Sequence, residues 1–374
     1  MVAQYDVVVL GAGIAGAAAA LAASGAGARV AMIAGPPGAT ALFSGAWRGP
    51  CPSDLREALA AVGYDLAECH QPLPHASGVL LTCDYACRSH AHARLRANSL
   101  VCGIAGLPAF DAPALALQWS ARSGVPLRSA NLLLSATPAT GWAAASLAGH
   151  IARDPLGFAR ALADLASEHG ADHVVLPAVL GTIADGVVHQ AVEDATHCTV
   201  GEALAVAPSL PGWRLHNALQ RALAKARVSI VAGRAHAHEQ TAGRLQSVQT
   251  GEEVLSARAF VLATGKFVAG GIEANAEFLE PALQCPVWVE HLGEIFETPD
   301  PLLLTDAERT EAQPLLRAGV HVDEQRRPIS QAKEAVYANV FATGSVRAGW
   351  DNVTHGIGEC AEDGWRAGLA AVKA

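Results

Sequence analysis

The pattern of hydrophobic residues is most regular near the N-terminus of the chain. Residues 7–10 form an unbroken apolar run with three valines, which is typical of a strand that is buried on both faces. Residues 17–23 are almost all alanine and predict a helix, and residues 29–34 are again mostly apolar and predict a second strand. A strand, a helix and a strand within about thirty residues predict a βαβ unit with parallel strands.

The turn between the first strand and the helix has the pattern GxGxxG, formed by Gly11, Gly13 and Gly16. In a dinucleotide-binding turn, the first glycine permits the tight turn, the second lets a pyrophosphate approach the backbone, and the third lets the helix pack closely on the strand. The first helical residues, Ile14 and Ala15, offer free N–H groups and a partial positive charge to phosphate groups. This context predicts a phosphate-bearing cofactor at the turn.

The end of the second strand departs from the usual dinucleotide-binding pattern. An Asp or Glu there usually binds the ribose hydroxyls, but this chain has Ala34, and the next carboxylate along the chain is Asp54. The ribose anchor is therefore missing or comes from elsewhere. Further on, Ser44 and Gly45 fall where many flavin enzymes bring a small polar turn against the pyrophosphate or flavin. They are equally consistent with an ordinary loop before a helix capped by Ser53.

Two later predicted strands, 259–265 and 340–345, also end in glycine, which permits close approach of the backbone. After the second of them, a helix is predicted over 359–371, and its glycine-containing start would direct free N–H groups and a positive dipole end at a reduced flavin. Ser345 stands where many flavoproteins have an aspartate that binds the ribityl hydroxyls. The candidate cofactor contacts in this half of the chain are Ala235, Ala263, Thr264, Gly265, Gly344, Ser345, Gly356, Ile357 and Gly358.

The segment 69–92 is unusually rich in residue types that bind metals. It contains Cys69, His70, His75, Cys83, Cys87, His90 and His92. Their spacing matches no structural zinc pattern. We predict instead a hairpin of two strands over 79–82 and 87–93, with His90 and His92 on one face. This interpretation makes the segment structural, and no metal is expected there.

The middle of the chain alternates between strand and helix patterns. Strands are predicted over 99–104 and 173–177, and helices over 112–123 and 158–169. We therefore predict an α/β fold in which residues 1–65 and 210–374 form a discontinuous, Rossmann-like flavin-binding domain of the two-dinucleotide type. Residues 66–209 are predicted to form an inserted α/β domain that caps the site or binds a substrate or partner.

The composition and the charge of the chain exclude several classes of protein. The 374 residues are 51% hydrophobic and 16% charged, which indicates a globular chain. The formal net charge is −9 and no basic run stands out, which argues against nucleic acid as the main partner. No apolar stretch reaches the roughly 18 residues that a membrane helix needs. A strand begins within the first residues, so we expect no secretory signal, and eight scattered cysteines fit reduced cytosolic thiols.

The motifs GAGIAG, VLATG and FATGS, followed by HGIG, resemble those of flavin-dependent oxidoreductases of the glutathione-reductase and succinate-dehydrogenase type. Within these, the segments FSGAW, LVCGIAGLPAFD, APSLPGWRLHNALQRAL and NVFATGSVRAGWD are similar to the B-subunit family of the anaerobic glycerol-3-phosphate dehydrogenases. The similarity runs along most of the chain and is patchy at 69–92 and 137–160.

This resemblance implies a flavoprotein subunit of a respiratory glycerol-3-phosphate:quinone oxidoreductase. In that family, a companion flavin subunit oxidises the substrate and an iron–sulfur subunit passes electrons toward quinone at the cytoplasmic face of the membrane. It implies a cytoplasmic chain that reaches the membrane through partners, and no cysteine set here resembles an iron–sulfur ligand run. FAD is the expected cofactor because GxGxxG indicates a pyrophosphate. FMN is the alternative, because the ribose acid is missing and the family's flavin is usually given as FMN.

The catalytic residues are less determined by the sequence. His355 and Arg347 are predicted to lie near the flavin, where they would hold an anionic substrate or move a proton, although a structural role explains each of them equally well. Two other functions stay open at this point. One is a stand-alone FAD-dependent oxidoreductase of a small amine or hydroxy acid, and the other is a non-catalytic subunit that serves assembly.

Overall fold

The computed structural model describes residues 3–134, 137–274, 278–291, 294–296, 313–330, 332–351 and 355–374. The α-helices, in chain order, are α1 (Ile14–Gly25), α2 (Ser53–Ala60), α3 (Arg88–Ala91), α4 (Ala112–Ser123), α5 (Ala144–Arg153), α6 (Pro155–Glu168), α7 (Val187–Thr196), α8 (Leu210–Lys225) and α9 (Ile357–Lys373).

The first strands of the chain are β1 (Ala3–Leu10), β2 (Val30–Ala34), β3 (Leu66–Glu68), β4 (Pro72–Pro74), β5 (Leu80–Thr82), β6 (Tyr85–Cys87), β7 (Ser99–Ile104), β8 (Arg128–Leu132), β9 (His173–Leu176) and β10 (Thr199–Glu202). The later strands are β11 (Ser229–Ala232), β12 (His236–Thr241), β13 (Arg244–Thr250), β14 (Glu253–Leu262), β15 (Glu273–Ala274), β16 (Phe278–Leu279), β17 (Val287–His291), β18 (Glu294–Phe296), β19 (Gly319–Val320) and β20 (Val340–Ala342).

The chain folds into two compact units. The first unit contains residues 1–40, 49–57 and 219–374, and the second contains residues 41–48 and 58–218. The units differ from the predicted domain bounds in that residues 41–48, 58–65 and 210–218 belong to the second unit. Each unit has its own parallel strands and its own apolar core.

The main sheet of the first unit has the strand order β11-β2-β1-β14-β13-β12, with β20 also paired to β14. Its strands β11, β2, β1, β14 and β20 run parallel to one another. The register places Leu10, Ile33, Leu262 and Ala342 in one row across the sheet. The segments after β1, β14 and β20 therefore leave the sheet at the same edge. The prediction of an α/β fold with a Rossmann-like start is confirmed.

Helices α1 and α9 pack closely because small residues lie between them. A Cβ atom built on Gly364 would lie 2.0 Å from the carbonyl oxygen of Ala15, and one on Gly368 would lie 2.2 Å from that of Ala19. Such distances are too short for any side chain, so glycine is required at both positions. The tight packing buries the alanine-rich face of α1 and fixes the start of α1 relative to α9.

The second unit contains a parallel sheet with the order β10-β9-β7-β8. Its core includes the fully buried side chains of Trp119, Leu147 and Ile151. Helix α4 begins and ends at the residues predicted for it: the Asp111 carboxylate accepts the N–H of Ala114 at 3.1 Å, and Gly124 ends the helix with φ +70°.

The predicted hairpin over 79–93 is wrong. Strand β5 pairs with β4, and strand β6 pairs with β3. Both β3 and β4 precede the predicted hairpin in the chain. The residues that follow Cys87 form helix α3 rather than a strand, so His90 and His92 do not alternate along a sheet. The prediction relied on the alternation of histidine and alanine over a few residues. Tertiary packing overrides such a short pattern and determines which segments pair as strands.

Candidate functional site

The turn from β1 to α1 uses its three glycines in different ways. Gly11 has φ +109°, and a Cβ atom there would lie 2.3 Å from the carbonyl oxygen of Ala263. A Cβ atom on Gly16 would lie 2.0 Å from the carbonyl oxygen of Gly11. Gly13 differs, because its Cβ would meet a single atom, Oγ1 of Thr40, at 3.4 Å. Gly11 and Gly16 are thus required by the fold, whereas a Cβ atom at Gly13 would meet no backbone atom within 4 Å.

The start of α1 receives a cap from a distant side chain. The N–H of Ile14 donates to Oγ1 of Thr40 at 2.9 Å, and Thr40 is buried. A helix start leaves four N–H groups without an intrahelical acceptor, and Thr40 satisfies one of them. Ile14 and Ala15 are both buried at this helix start. The remaining donors have the arrangement that binds phosphate groups in other proteins.

The segment after β14 comes next to this turn. The N–H of Ala263 donates to the carbonyl oxygen of Leu10 at 2.9 Å. Gly265 has φ +77°, and a Cβ atom on it would lie 3.8 Å from Oγ of Ser345. Oγ1 of Thr264 is buried and has no hydrogen-bond partner among the residues that the structure describes. A buried hydroxyl without a partner is costly, which indicates that a bound group belongs here.

The segment after β20 is held by a carboxylate on α9. Oδ2 of Asp363 accepts the hydroxyl of Thr343 and the N–H of Gly344, both at 2.8 Å. Its Oδ1 accepts a guanidinium N–H of Arg326. Gly344 has φ +68°, and a Cβ on it would lie 2.6 Å from Cβ of Ala15. The three glycine-containing segments, 11–16, 263–265 and 344–345, are therefore brought together, and we call them the glycine edge.

The start of α9 is formed by Gly356, Ile357 and Gly358, but it is not left free. The N–H of Gly356 donates to Oε2 of Glu359 at 2.8 Å. The helix dipole stabilises this carboxylate at its positive end. Part of that positive end is thus compensated within the chain, which weakens the predicted influence of α9 on a reduced flavin.

The sequence analysis missed a buried lysine at the glycine edge. Nζ of Lys266, directly after Gly265, donates to the backbone carbonyls of Leu316 and Trp350. Burial lowers the pKa of Lys266 to about 7, although the field of Asp351 opposes this shift. The edge therefore carries an amine that titrates near neutral pH. Its position immediately after the glycine was the local signal that could have identified it.

The two residues predicted to be catalytic each contact other residues of the first unit. The ring of His355 stacks on Trp350 with centroids 4.5 Å apart, and its Nδ1 lies 3.2 Å from the carbonyl oxygen of Asp351. Nη1 of Arg347 donates to Oδ1 of Asp363 at 2.7 Å, and burial lowers the pKa of Arg347. Arg347 thus helps to hold the turn after β20. The catalytic roles of His355 and Arg347 stay predictions.

Three other predicted cofactor contacts are not part of the glycine edge as defined by its three segments. Ser44 and Gly45 belong to the second unit. Gly45 has φ +107°, and a Cβ there would lie 2.6 Å from Nε2 of His90. Ala235 is buried in the apolar core of the first unit, together with Leu10 and Phe260. The structure therefore gives Gly45 and Ala235 packing roles, and their contact with a cofactor stays a prediction.

The histidines of the segment 69–92 are held by carboxylates and carbonyl groups of the second unit. Nδ1 of His92 lies 2.7 Å from Oε1 of Glu193, and Nε2 of His189 lies 3.6 Å from the same atom. These three residues are suited in type and spacing to a metal ion. However, Nε2 of His189 donates to the carbonyl oxygen of Val200 at 2.6 Å. Hydrogen bonds account for the arrangement, and the expectation of no metal stays a prediction.

Among the described residues, no helix is both long and apolar enough to cross a membrane.

Family models match two parts of the chain. The model described as FAD binding domain matches residues 138–360, which is more than half of the 374 residues. The model described as glucose inhibited division protein A matches residues 6–70. The first description names FAD, which confirms the expected cofactor.

Curated relatives point in the same direction. The probable B subunit of the anaerobic glycerol-3-phosphate dehydrogenase of Halobacterium salinarum is 32% identical over 227 residues, which cover 59% of this chain and 51% of the relative. The corresponding B subunit of Glaesserella parasuis is 28% identical over 195 residues, which cover 50% of this chain and 44% of the relative. The resemblance to that family is thus confirmed, although the chain spans only about half the length of these relatives.

A solved structure gives a weaker likeness. The 3-ketosteroid-Δ4-(5α)-dehydrogenase of Rhodococcus jostii RHA1 is 13% identical with a TM-score of 0.40, covering 100% of this chain and 97% of that one. A TM-score of 0.40 is too low to support a family assignment, which therefore rests on the sequence matches.

Proposed function

Since the chain belongs to the family of FAD binding domains, we propose that it is a flavin-dependent oxidoreductase subunit that holds FAD at the glycine edge of its first unit. The observation that carries this proposal is the sparse surroundings of Gly13, whose Cβ would meet only Oγ1 of Thr40, at 3.4 Å. Gly13 lies beside the start of α1, whereas Gly11 and Gly16 are filled by their own backbone surroundings. A pyrophosphate needs this kind of approach to the backbone.

The residues of the glycine edge fit FAD in two further respects. The buried Oγ1 of Thr264 lacks a partner among the described residues, and a polar group of the cofactor would supply one. The start of α1 offers N–H groups and a positive dipole end to phosphates. The end of β2 fits less well, because Ala34 stands where a carboxylate usually binds the ribose. The ribose would therefore be bound by groups other than a carboxylate at the end of β2.

The chain's own residues have distinct tasks toward the cofactor. FAD, when bound, supplies the redox chemistry. Asp363 holds the backbone of Gly344, and thereby the shape of the edge. Lys266 carries a proton whose pKa of about 7 lets it be taken up or released near neutral pH. His355, stacked on Trp350 beside Asp351, is the candidate for proton transfer to or from a substrate.

We assign the subunit to glycerol 3-phosphate oxidation, on the basis of the relatives that carry this activity in their names. In this proposal, electrons pass from FAD through an iron–sulfur companion subunit to quinone, and the complex lies at the inner face of the cell membrane through its partners. The spacing of the eight cysteines resembles no iron–sulfur ligand run, and a cluster would therefore be held by the companion.

The mass of the cofactor tests the first part of this proposal. The full chain is purified, the bound flavin is released by denaturation, and its mass is measured. We expect FAD at one molecule per chain. A folded chain without flavin after reconstitution, or with FMN alone, would contradict the proposed site.

Dye reduction tests the second part. The FAD-loaded chain is mixed with glycerol 3-phosphate and an artificial electron acceptor, with and without the companion subunits of one of the glycerol-3-phosphate dehydrogenase relatives. We expect little turnover by the single chain and clear turnover in the complex. Robust turnover by the chain alone would instead support a stand-alone oxidoreductase.

A further inference from the structure

A small apolar cluster in the second unit encloses two cysteines. Cys69 and Cys83 pack there with Leu73, Ala86 and Leu204. Cys69 directly follows β3 and Cys83 precedes β6, and these two strands are paired antiparallel. The pairing continues past the strands, because the N–H of Cys69 donates to the carbonyl oxygen of Asp84 at 2.8 Å. The fold thus brings together two cysteines that are 14 residues apart in sequence.

The two thiols interact directly. Sγ of Cys83 lies 3.7 Å from the carbonyl oxygen of Cys69 and donates to it. The two thiols also influence each other, and the interaction shifts the pKa of both groups. Cys69 is 9% exposed and Cys83 is 1% exposed. A small oxidant therefore reaches Cys69 more easily than Cys83.

The surroundings distinguish the two sulfur atoms. The hydrogen bond from Cys83 lowers the pKa of Cys69 most strongly, and the positive fields of His70 and Arg94 act in the same direction. The same hydrogen bond raises the pKa of Cys83, together with burial and the negative charge of Asp84. Cys69 is thus the sulfur that ionises, and Cys83 keeps its proton. A thiolate is the form that reacts with oxidants and disulfides.

We propose that Cys69 and Cys83 form a dithiol oxidation site, at which a hydroperoxide converts the pair to a disulfide. The Cys69 thiolate attacks one peroxide oxygen, the O–O bond breaks, and hydroxide leaves, which gives a sulfenic acid on Cys69. Sγ of Cys83 then attacks Sγ of Cys69, the S–O bond breaks, and the oxygen leaves as water with the proton of Cys83. One hydrogen peroxide and two thiols thus give one disulfide and two waters.

The other thiols of the chain lack this arrangement. Burial raises the pKa of Cys87 to about 11 and that of Cys102 to about 12. Cys87 lies in the same strand ladder, opposite Leu66, and is therefore a matched control. Reversible disulfides of this kind are usual in redox-sensing sites of reducing compartments, where structural disulfides are rare. A dithiol reductant would restore the pair.

Oxidation of the full chain with hydrogen peroxide tests the proposal. Free thiols are then alkylated, and the peptides are identified by mass spectrometry. We expect a linked Cys69–Cys83 peptide that has lost two hydrogen atoms and regains them with a dithiol reductant. Cys83→Ala should stop at the sulfenic acid on Cys69, which dimedone captures and which forms more slowly because Cys83 no longer lowers the pKa of Cys69. Cys87→Ser should behave as the unchanged chain.

A second measurement protects the test against misfolding of the Cys83 variant. In the unchanged chain, iodoacetamide near neutral pH should alkylate Cys69 several-fold faster than Cys87. Equal alkylation rates, a disulfide between other cysteines, or a Cys69–Cys83 pair that stays reduced while Cys87 oxidises would each overturn the proposal.

Discussion

The carboxyl-terminal edges of the two parallel sheets are built in opposite ways. In the first unit, the segments that leave β1, β14 and β20 contain Gly11, Gly265 and Gly344, all with positive φ. In the second unit, β10 ends in Glu202, which is buried and paired with Arg214 at 2.6 Å. One edge is lined by glycines, whereas the other holds a buried ion pair.

The two edges also differ in how their polar groups are satisfied. Oε1 of Glu202 accepts the N–H of Leu180 at 2.6 Å, and its Oε2 accepts the hydroxyl of Ser89 at 2.8 Å. The remaining donors come from Arg214, so the carboxylate is satisfied within the chain. At the glycine edge, in contrast, Oγ1 of Thr264 has no partner in the described part of the chain. The unsatisfied hydroxyl of Thr264 favours the glycine edge as the site of a bound cofactor.

The largest loss of stability is expected from a substitution that breaks the ion pair between Glu202 and Arg214. Arg214→Met leaves the Glu202 carboxylate buried without its partner, and this should lower the free energy of unfolding by about 3–5 kcal/mol. Urea unfolding followed by tryptophan fluorescence measures it. Arg88→Met is the control, because its ion pair with Glu193 is exposed and should contribute about 0–1 kcal/mol. Equal effects of the two substitutions would contradict the comparison.

The ion pair between Glu202 and Arg214 also predicts that the stability of the fold depends on pH. Burial alone would raise the pKa of Glu202, but Arg214 outweighs it and lowers the pKa from 4.5 to about 2. A group with a lowered pKa in the folded state stabilises the fold above its unfolded pKa. The contribution is therefore complete above about pH 4.5 and is lost as the pH falls toward 2. Unfolding midpoints of the unchanged chain and Glu202→Gln should differ in their slopes over this range, and parallel slopes would argue against the pair.

A smaller effect is expected where α1 and α9 pack together behind the glycine edge. Gly364→Ala places a Cβ atom 2.0 Å from the carbonyl oxygen of Ala15, which should cost about 1–3 kcal/mol of stability. Gly149→Ala in α5 is the control, since a Cβ there meets no atom within 4 Å, and it should stabilise the fold by about 0.4–1 kcal/mol. Thermal unfolding separates the two; a stabilising Gly364→Ala would show that the helices are not in tight contact.

The smallest effect concerns the cap of α1. Thr40→Val removes the acceptor of the Ile14 N–H, which should cost about 1 kcal/mol. Thr40→Ser keeps the hydroxyl and should stay within a few tenths of the unchanged chain. Urea midpoints check both variants. A Thr40→Val chain as stable as Thr40→Ser would mean that another group replaces the cap.

The glycine edge was predictable because its signals are local. A glycine after an apolar strand is visible in the sequence at Gly11, Gly265 and Gly344, and the order of these segments indicated their chemistry. Helix α4 was also local, because its cap Asp111 and its final Gly124 adjoin it. These elements depend on short-range backbone geometry, which sequence patterns record well.

The features that the sequence did not predict depend on contacts between residues that are far apart in the chain. His90 is fixed by the carbonyl oxygen of Glu202, 112 residues later, so its place in a helix could not be inferred from HAHA. Lys266 acquires its buried position from carbonyl groups 50 and 84 residues away. Asp363 lies on α9, and it holds the turn after β20 only because α9 packs against this turn. Long-range pairing of this kind has no periodic signature.

The affinity for FAD of Gly13 variants tests the central claim most directly. Gly13 has an ordinary φ of −72°, and its Cβ would meet only Oγ1 of Thr40, at 3.4 Å. Gly13→Ala should therefore fold like the unchanged chain, with the same unfolding midpoint of the flavin-free protein. It should bind FAD about tenfold or more weakly, which corresponds to about 1.4 kcal/mol, and Gly13→Asp should lose binding because of its size and charge. Gly149→Ala should bind FAD normally. Gly13→Asp that folds and keeps the FAD affinity of the unchanged chain would contradict the site.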